Sequence, residues 1–436
     1  MIATIVISGI TFLLIALSLF LFPKIKIGKI QFHTYWVIAL IGATILLCSS
    51  LAPIENVWQQ LTSNSKINPL KILVLFFSMT LISIMLDEFG LFKYLANLAV
   101  KVAKNNQYSL FFILYGLVSI LTIFTSNDIV ILTLTPFICF FCKRATINPL
   151  PYLIAEFTAA NTWSLMFVIG NPTNIFLATT ADINFVQYLK VMALPTIAAG
   201  IVELGLLFLL FRKHLKQSLL VSVEEHYEFE NKVTLIVGVI HLVVCLIFLI
   251  ISSYLNLEMW MISLVCAGSL LVYTVISSIF VKNDRKYVAG SLKRLPYPLI
   301  PFFLSMFVIV VALSYQGVAG EIAKSFGNQN TIWVYGYTSF IASNLVNNIP
   351  MSILYSNLCS SLSGLSYKSS VYASIVGSNI GAFLTPMGAL AGIMFTGLLE
   401  KHEVKFSFID FIKYGVAVAI PTLTVCLSVL LLTINF

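Results

Sequence analysis

The 436-residue sequence predicts an all-α polytopic membrane protein, and three observations predict it. Hydrophobic residues make up 59% of the chain and charged residues 10%, where a soluble domain carries about 25% charged residues. Apolar runs of roughly 18 to 25 residues recur from end to end, each long enough to cross about 30 Å of hydrocarbon. The third observation is a pattern that occurs twice. Ser126-Asn127 lies in an apolar stretch closed by Pro136, and Ser343-Asn344, 217 residues later, in one closed by Pro350. Asn161 and Gly170 are nine apart, and so are Asn379 and Gly388. Ser78…Gly90 recurs as Ser305…Gly317, and Pro195-Thr196 as Pro421-Thr422. Four anchors in one order mean a long internal duplication. In a membrane chain, that marks two transporter repeats around one central site.

The elements follow in order. Residues 1–69 are N-terminal scaffold, with helices over 2–22 and 33–52. The first apolar run lacks a basic lead-in and a small-residue cleavage site, so it is expected to be retained. Residues 70–211 form repeat one: a helix over 70–88, a re-entrant hairpin over 108–142, a broken helix over 150–181 and a helix over 188–211. The hairpin follows from a polar Ser-Asn turn between two apolar arms. The break follows from Gly170-Asn171-Pro172, because proline removes a backbone donor and glycine relaxes the chain. Residues 212–296 are a linker with scaffold helices over 233–253 and 258–281. Residues 297–436 form repeat two: a helix over 297–316, a hairpin over 331–362, a broken helix over 370–399 interrupted at Thr385-Pro386-Met387-Gly388, and a helix over 411–434. Unwound backbone at that depth survives only where protein or a water-filled cavity covers it.

Orientation comes from charge. With 23–32 in the cytoplasm, 20 of the 25 Lys and Arg fall on one side, as the positive-inside rule asks. That count makes ten full crossings plus two hairpins, both termini outside, and repeats of opposite orientation. The net charge of +8 therefore reports topology, and nucleic acid is excluded as a partner. The seven cysteines lie in predicted helices, and an odd count of buried thiols argues against a disulfide framework. Cys139-Phe-Phe-Cys142 is read as packing rather than a redox or metal pair. No nucleophile–base pair and no His-x-x-x-His cluster suggests an enzyme or a metal site. No cofactor is expected.

Chemistry must lie in the polar residues that hydrocarbon rejects. Asp128 follows Ser126-Asn127 at the first hairpin turn; a carboxylate at mid-depth costs roughly 2.5–3.5 kcal/mol, so such groups are usually functional. It carries the proton or caps the next helix arm. At the equivalent place in repeat two stands Leu345, with Asn347 and Asn348 supplying polarity. Helix N-termini starting at these turns favour anions or polar oxygens, and the unwound carbonyls at 169–173 and 385–388 are candidate cation ligands. Glu156, one to two turns before Asn161, is a proton carrier or a charge near the helix end. Glu203, in mid-helix, is a third proton-coupling candidate or a locally paired group. Asp87-Glu88 is read as solvated at the interface, and His241 as structural. Asn161, Asn171, Asn174 and Asn379 line the site or tie helices together.

Three stretches resemble a known family: Leu81 to Phe92 (LISIMLDEFGLF), Asn127-Asp128…Pro136, and Thr385 to Ala391 (TPMGALA). They are similar to the arsenite efflux permeases and, more widely, to the ion-transporter superfamily, which includes divalent anion/sodium symporters and citrate-transporter-like domains. The resemblance spans about 70 to 434. It implies substrate and coupling-ion sites at the hairpin tips and breaks: Ser126, Asn127 and Asp128 with Gly170, Asn171, Pro172 and Thr173, and Ser343, Asn344 and Asn347 with Thr385, Pro386 and Gly388. Sodium-coupled carboxylate members typically carry Ser-Asn-Thr at both tips, where this chain has Asp128 and Leu345. Arsenite permeases often carry an acidic residue at Asn161.

The expectation is a multi-pass secondary active transporter of the plasma membrane, exporting arsenite, antimonite or a related small anion against protons, with Asp128 as the proton-linked carboxylate. The alternatives are Na⁺- or H⁺-coupled transport of an organic anion such as citrate or a dicarboxylate, and Na⁺/H⁺ antiport. A passive channel fits the duplicated breaks poorly, since a pore needs an open path. Expected partners are the lipid bilayer and a small solute or anion. A homodimer is left open.

Overall fold

The computed structural model describes residues 1–435 apart from 23, 28–29, 64–67, 105, 217–230, 253, 256 and 282–283. Most of the polar stretch near 212–232, and Lys29, Lys66 and Lys282 of the charge count, lie outside the described residues. The first half runs α1 (Ile2–Leu21), an antiparallel hairpin of β1 (Lys24–Ile27) and β2 (Ile30–His33), α2 (Thr34–Cys48), α3 (Ile54–Thr62), α4 (Pro69–Glu88), α5 (Leu91–Val102), α6 (Gln107–Phe124), α7 (Asn127–Ala145), α8 (Leu150–Trp163), a 3-10 turn (Val168–Gly170), α9 (Pro172–Thr180) and α10 (Phe185–Phe211). The rest runs α11 (Lys232–Ile251), α12 (Met259–Phe280), α13 (Asp284–Arg294), α14 (Leu299–Tyr315), α15 (Val318–Phe326), α16 (Thr331–Val346), α17 (Asn348–Ser360), α18 (Gly364–Gly381), α19 (Leu390–Lys401) and α20 (Phe408–Thr433). Seven helical segments among the described residues are long and apolar enough to cross a membrane, and α1 and α2 add shorter apolar helices.

The helix ends follow local chemistry. Asn68, Asn106, Asn184, Asn231 and Ser407 cap α4, α6, α10, α11 and α20 by accepting from first-turn amides, which no intrahelical carbonyl can reach. Four short helices, α3, α5, α13 and α15, have no counterpart in the sequence reading. They span 9 to 12 residues, so a search for membrane-length runs passes over them. The β-hairpin occupies what reads as a plain basic loop.

Helices α8 and α18 form the centre. Every residue from Pro151 to Thr162 and from Ser369 to Gly381 is buried. Each packs against the hairpin of its own half, α8 on α6 and α7, α18 on α16 and α17, and the two touch each other. The halves also exchange contacts: α7 packs on α19, α17 on α9, and α10 on α20. Close approach of α16 and α18 depends on Gly377 and Gly381, one turn apart. A Cβ on Gly377 would lie 2.2 Å from the Gly336 carbonyl, and one on Gly381 would lie 2.9 Å from that of Phe340. Small residues spaced by four let membrane helices approach this closely. Helices α11 and α12 sit outside and expose Val233, Ile236, Ile240, Val265 and Ile279, the apolar surface that lipid covers.

Asp87 is a correction to the expected solvated pair. It is buried, its Oδ2 receives Thr133 Oγ1 at 2.8 Å, and Arg294 reaches it at 2.7 Å while holding Glu88 at 2.8 Å. The basic residue comes from α13, unforeseen in the sequence and packed across the end of α4.

Candidate functional site

The first hairpin turns at Thr125-Ser126, between α6 and α7, and the second at Asn347, which has positive φ and caps α17. The two breaks run from Ser164 to Asn171 and from Ala382 to Ala389. Each starts earlier than the Gly-Pro signal, because 3-10 bonds such as Leu165 N to the Thr162 carbonyl tighten the helix end first. Both breaks fold back tightly. A Cβ on Gly170 would lie 2.3 Å from the Ser164 carbonyl, and one on Gly388 would lie 2.6 Å from that of Gly381. Only glycine fits at either position, which accounts for the nine-residue spacing from Asn161 and Asn379.

The asparagines form a lattice across both halves. Asn127 Nδ2 donates to Asn161 Oδ1 at 3.2 Å. Ser164 Oγ lies 2.7 Å from the Asn161 carbonyl and 2.8 Å from Asn379 Oδ1. Asn379 Nδ2 donates to Asn174 Oδ1 at 2.6 Å, and Asn174 Nδ2 returns to the Ser164 carbonyl at 2.8 Å. Asn171 caps α9 through the Thr173 amide at 3.1 Å, Thr173 Oγ1 donates to Asn171 Oδ1, and Ser378 Oγ donates to Thr173 Oγ1 at 3.1 Å. Pro172 opens α9 at its first position, where no amide donor is needed.

In the second half, Asn344 Nδ2 donates to the Phe340 and Gly381 carbonyls at 2.8 and 2.9 Å, and Thr385 Oγ1 donates to Asn344 Oδ1 at 2.7 Å. Ser343 donates to the Phe340 carbonyl. Asn347 Nδ2 donates to the Met387 carbonyl at 3.0 Å, and the Asn348 amide to that of Gly388 at 3.0 Å. Pro386 is buried within this break. The carbonyls of Met387 and Gly388, expected as cation ligands, are therefore already accepting bonds from the hairpin tip.

The halves differ in what they leave open. In the first half, Ser126 Oγ and Asn127 Oδ1 at the tip and Asn171 Nδ2 at the break are buried without hydrogen-bond partners, whereas Asn344 and Asn347 are bonded. Asp128 is half-buried, forms no hydrogen bond among the described residues, and has Tyr35 of α2 within its electrostatic reach. Two other candidates stand apart. Both oxygens of Glu156 accept from Thr135 Oγ1 at 3.0 Å, and Glu203 lies on α10, beside Thr158 and Thr162 of α8. Among the described residues no three His, Cys, Asp or Glu side chains converge as a metal site. Cavities of about 480 and 460 Å³ open at opposite ends of α4, one at Lys71, Asp182 and Gln187, the other at Glu88, Thr133 and Arg294.

Ser164, Ser378 and Thr162 escaped the sequence reading. Their repeat-related positions hold Ala382, Ala160 and Ile380, so symmetry, the signal that exposed the asparagines, is silent there.

Comparison with known proteins adds three findings. Residues 12–367 match the family described as CitMHS, citrate transporter. The arsenical pump membrane protein of Escherichia coli (strain K12) is 27% identical over 380 residues, covering 83% of this chain and 86% of that protein. That of Yersinia enterocolitica is 26% identical over 384 residues, and the 46 kDa membrane protein of Mycobacterium leprae is 25% identical over 399 residues, covering 88% of this chain and 90% of that one. Among solved structures, the Alcanivorax borkumensis YdaH transporter superposes with a TM-score of 0.56 at 14% identity, covering 100% of this chain and 98% of that chain, which is a likeness of fold.

Proposed function

The chain belongs to the citrate transporter family, and on that premise we propose that it is a proton-coupled secondary active transporter of the cell membrane. It exports arsenite, antimonite or a related small hydroxylated solute by alternating access. The observation that carries this reading is a set of unpartnered buried polar atoms in the first half: Ser126 Oγ and Asn127 Oδ1 at the hairpin tip and Asn171 Nδ2 at the break. Buried polar atoms are normally bonded, so atoms left open in this way are free to take a ligand. Together they offer both donors and acceptors, as a solute bearing several hydroxyl groups requires. Arsenous acid, uncharged at neutral pH, has that chemistry. The lattice is built from neutral side chains, and Asp128 adds a negative charge beside it. A citrate or dicarboxylate anion there would meet like charge, which selects against it. The names of the curated arsenical pump relatives support the same choice.

Transport through this site uses the rest of the geometry. Repeats 70–211 and 297–436, inverted in the membrane, bring two hairpin tips and two breaks to α8 and α18. Asp128 is the tip carboxylate that exchanges a proton as the site turns from one side to the other.

The second reading is coupled transport of an organic anion. The helix N-termini of α7 at Asn127 and α17 at Asn348 favour it, because they offer amide donors to negative charge. Flux into everted vesicles without ATP decides, with arsenite, antimonite, citrate, Na⁺ and the pH gradient varied independently. The expected result is arsenite accumulation that follows the imposed pH gradient and ignores Na⁺. Citrate uptake, or dependence on Na⁺ alone, refutes the first reading.

A further inference from the structure

Glu203 lies well inside α10 and takes no part in the asparagine lattice. Its side chain is 0% exposed, and neither carboxyl oxygen makes a well-formed hydrogen bond, although three hydroxyls stand near enough to favour its anion. The groups facing it are the hydroxyls of Thr158 and Thr162 on α8 and of Tyr115 on α6. Tyr115 is the titratable one among them, and no charged side chain among the described residues stands with them. Helices α20 and α11, which also pack on α10, place no titratable group against it among the described residues. Two of the three hydroxyls are engaged elsewhere: Thr158 donates to the Ile154 carbonyl at 3.0 Å, and Tyr115 to that of Gly200 at 2.8 Å while accepting from Trp163 Nε1 at 3.2 Å. The Thr162 hydroxyl is buried without a partner.

A buried carboxylate anion needs donors aimed at it, whereas a neutral carboxylic acid needs far fewer. The surroundings therefore suit the acid. Ionisation would require Thr158 and Thr162 to turn their hydroxyls toward Glu203. Both residues sit on α8, and Thr162 directly follows Asn161, which holds Asn127, and is two residues from Ser164, which reaches Asn379. Thr158 and Thr162 thus share α8 with Asn161, so a change of charge at Glu203 bears on the helix that carries the lattice.

We propose that Glu203 is a second proton site of this protein, a positioning residue that holds a proton in the conformation described and shifts the register of α8 when it releases it. The inference rests on the proton-coupled reading above, with Asp128 at the tip and Glu203 behind the broken helix. The test uses purified full-length protein in proteoliposomes, with arsenite as the probe. Glu203→Gln keeps the shape of the acid and cannot ionise. Flux driven by a pH gradient is expected to be lost, while arsenite-for-arsenite exchange without a gradient persists. Full gradient-driven flux in Glu203→Gln overturns the inference. Infrared difference spectroscopy reads the proton without transport: a protonated-carboxyl band present in the wild type, lost on raising the pH and missing from Glu203→Gln, supports the site. Its absence at every pH overturns it. If Glu203→Gln fails to insert, Thr162→Val replaces it. Removing that donor disfavours the anion and is expected to raise the pH at which the band is half lost by about one unit, and an unmoved midpoint counts against the proposal. A wild type indifferent to the pH gradient overturns proton coupling, and the infrared titration then still decides whether Glu203 takes a proton.

Discussion

Asn379→Ala is expected to be the costliest alanine substitution among the lattice asparagines, because Asn379 joins the two halves. Its side chain accepts from Ser164 Oγ at 2.8 Å and donates to Asn174 Oδ1 at 2.6 Å and to the Ile375 carbonyl at 2.8 Å. Alanine removes all three. Ser164 keeps its bond to the Asn161 carbonyl, but Asn174 Oδ1 keeps none of its bonds. Interhelical hydrogen bonds in membranes average about 0.6 kcal/mol and reach about 1.7. Two such bonds give roughly 1–3 kcal/mol, and the stranded Asn174 oxygen moves the cost toward the upper end. Asn161→Ala loses a single interhelical bond, the 3.2 Å contact with Asn127, and strands the Asn127 amide, so it is expected to cost about 1 kcal/mol. The assay is equilibrium unfolding of purified protein in mixed micelles, with Ser164→Ala closing a double-mutant cycle. A coupling of about 0.6–1.7 kcal/mol between Ser164 and Asn379 is expected. Zero coupling, or equal costs for Asn161→Ala and Asn379→Ala, would refute the reasoning.

Asn127→Ala and Asn344→Ala should each abolish arsenite flux with membrane insertion intact; wild-type flux in either places the tips away from the site. Asp128→Asn should keep substrate exchange but lose the response to a pH gradient, and unchanged gradient-driven flux in vesicles would remove Asp128 from coupling. Arg294→Gln leaves the buried Asp87 without its cation, so a loss on the order of 3 kcal/mol is expected by the same unfolding assay; a shift under half a kilocalorie would show that Asp87 finds another partner. Cysteines introduced at 290 and 366 should be labelled from the cytoplasm and the exterior respectively, and labelling from one side only would contradict inverted repeats.

The membrane-length helices, both hairpins and both breaks were legible in the sequence because they rest on one-dimensional properties. A run of apolar residues has a length, and Ser-Asn, Gly-Asn-Pro and Thr-Pro-Met-Gly interrupt it wherever they stand. Duplication supplies a second copy of the Ser-Asn tips and of Asn161 as Asn379, while Thr385 is marked by its own Thr-Pro-Met-Gly interruption; Asn127 bonds Asn161, and Asn344 bonds Thr385. The short helices α3, α5, α13 and α15 fell below that length. Ser164, Ser378 and Thr162 have no polar counterpart in the other half. Which groups meet was decided by the tertiary structure. Arg294 turns onto Asp87 only because α13 crosses the end of α4, and Asn347 takes the Met387 carbonyl only because the second hairpin tip docks on the second break. Glu203 meets Thr158 and Thr162 of α8 for the same reason. Hydrocarbon selects helices by length and apolarity, but the rotation of each helix is set by side chains packing from segments up to hundreds of residues away, and that information is not local to any stretch of the chain.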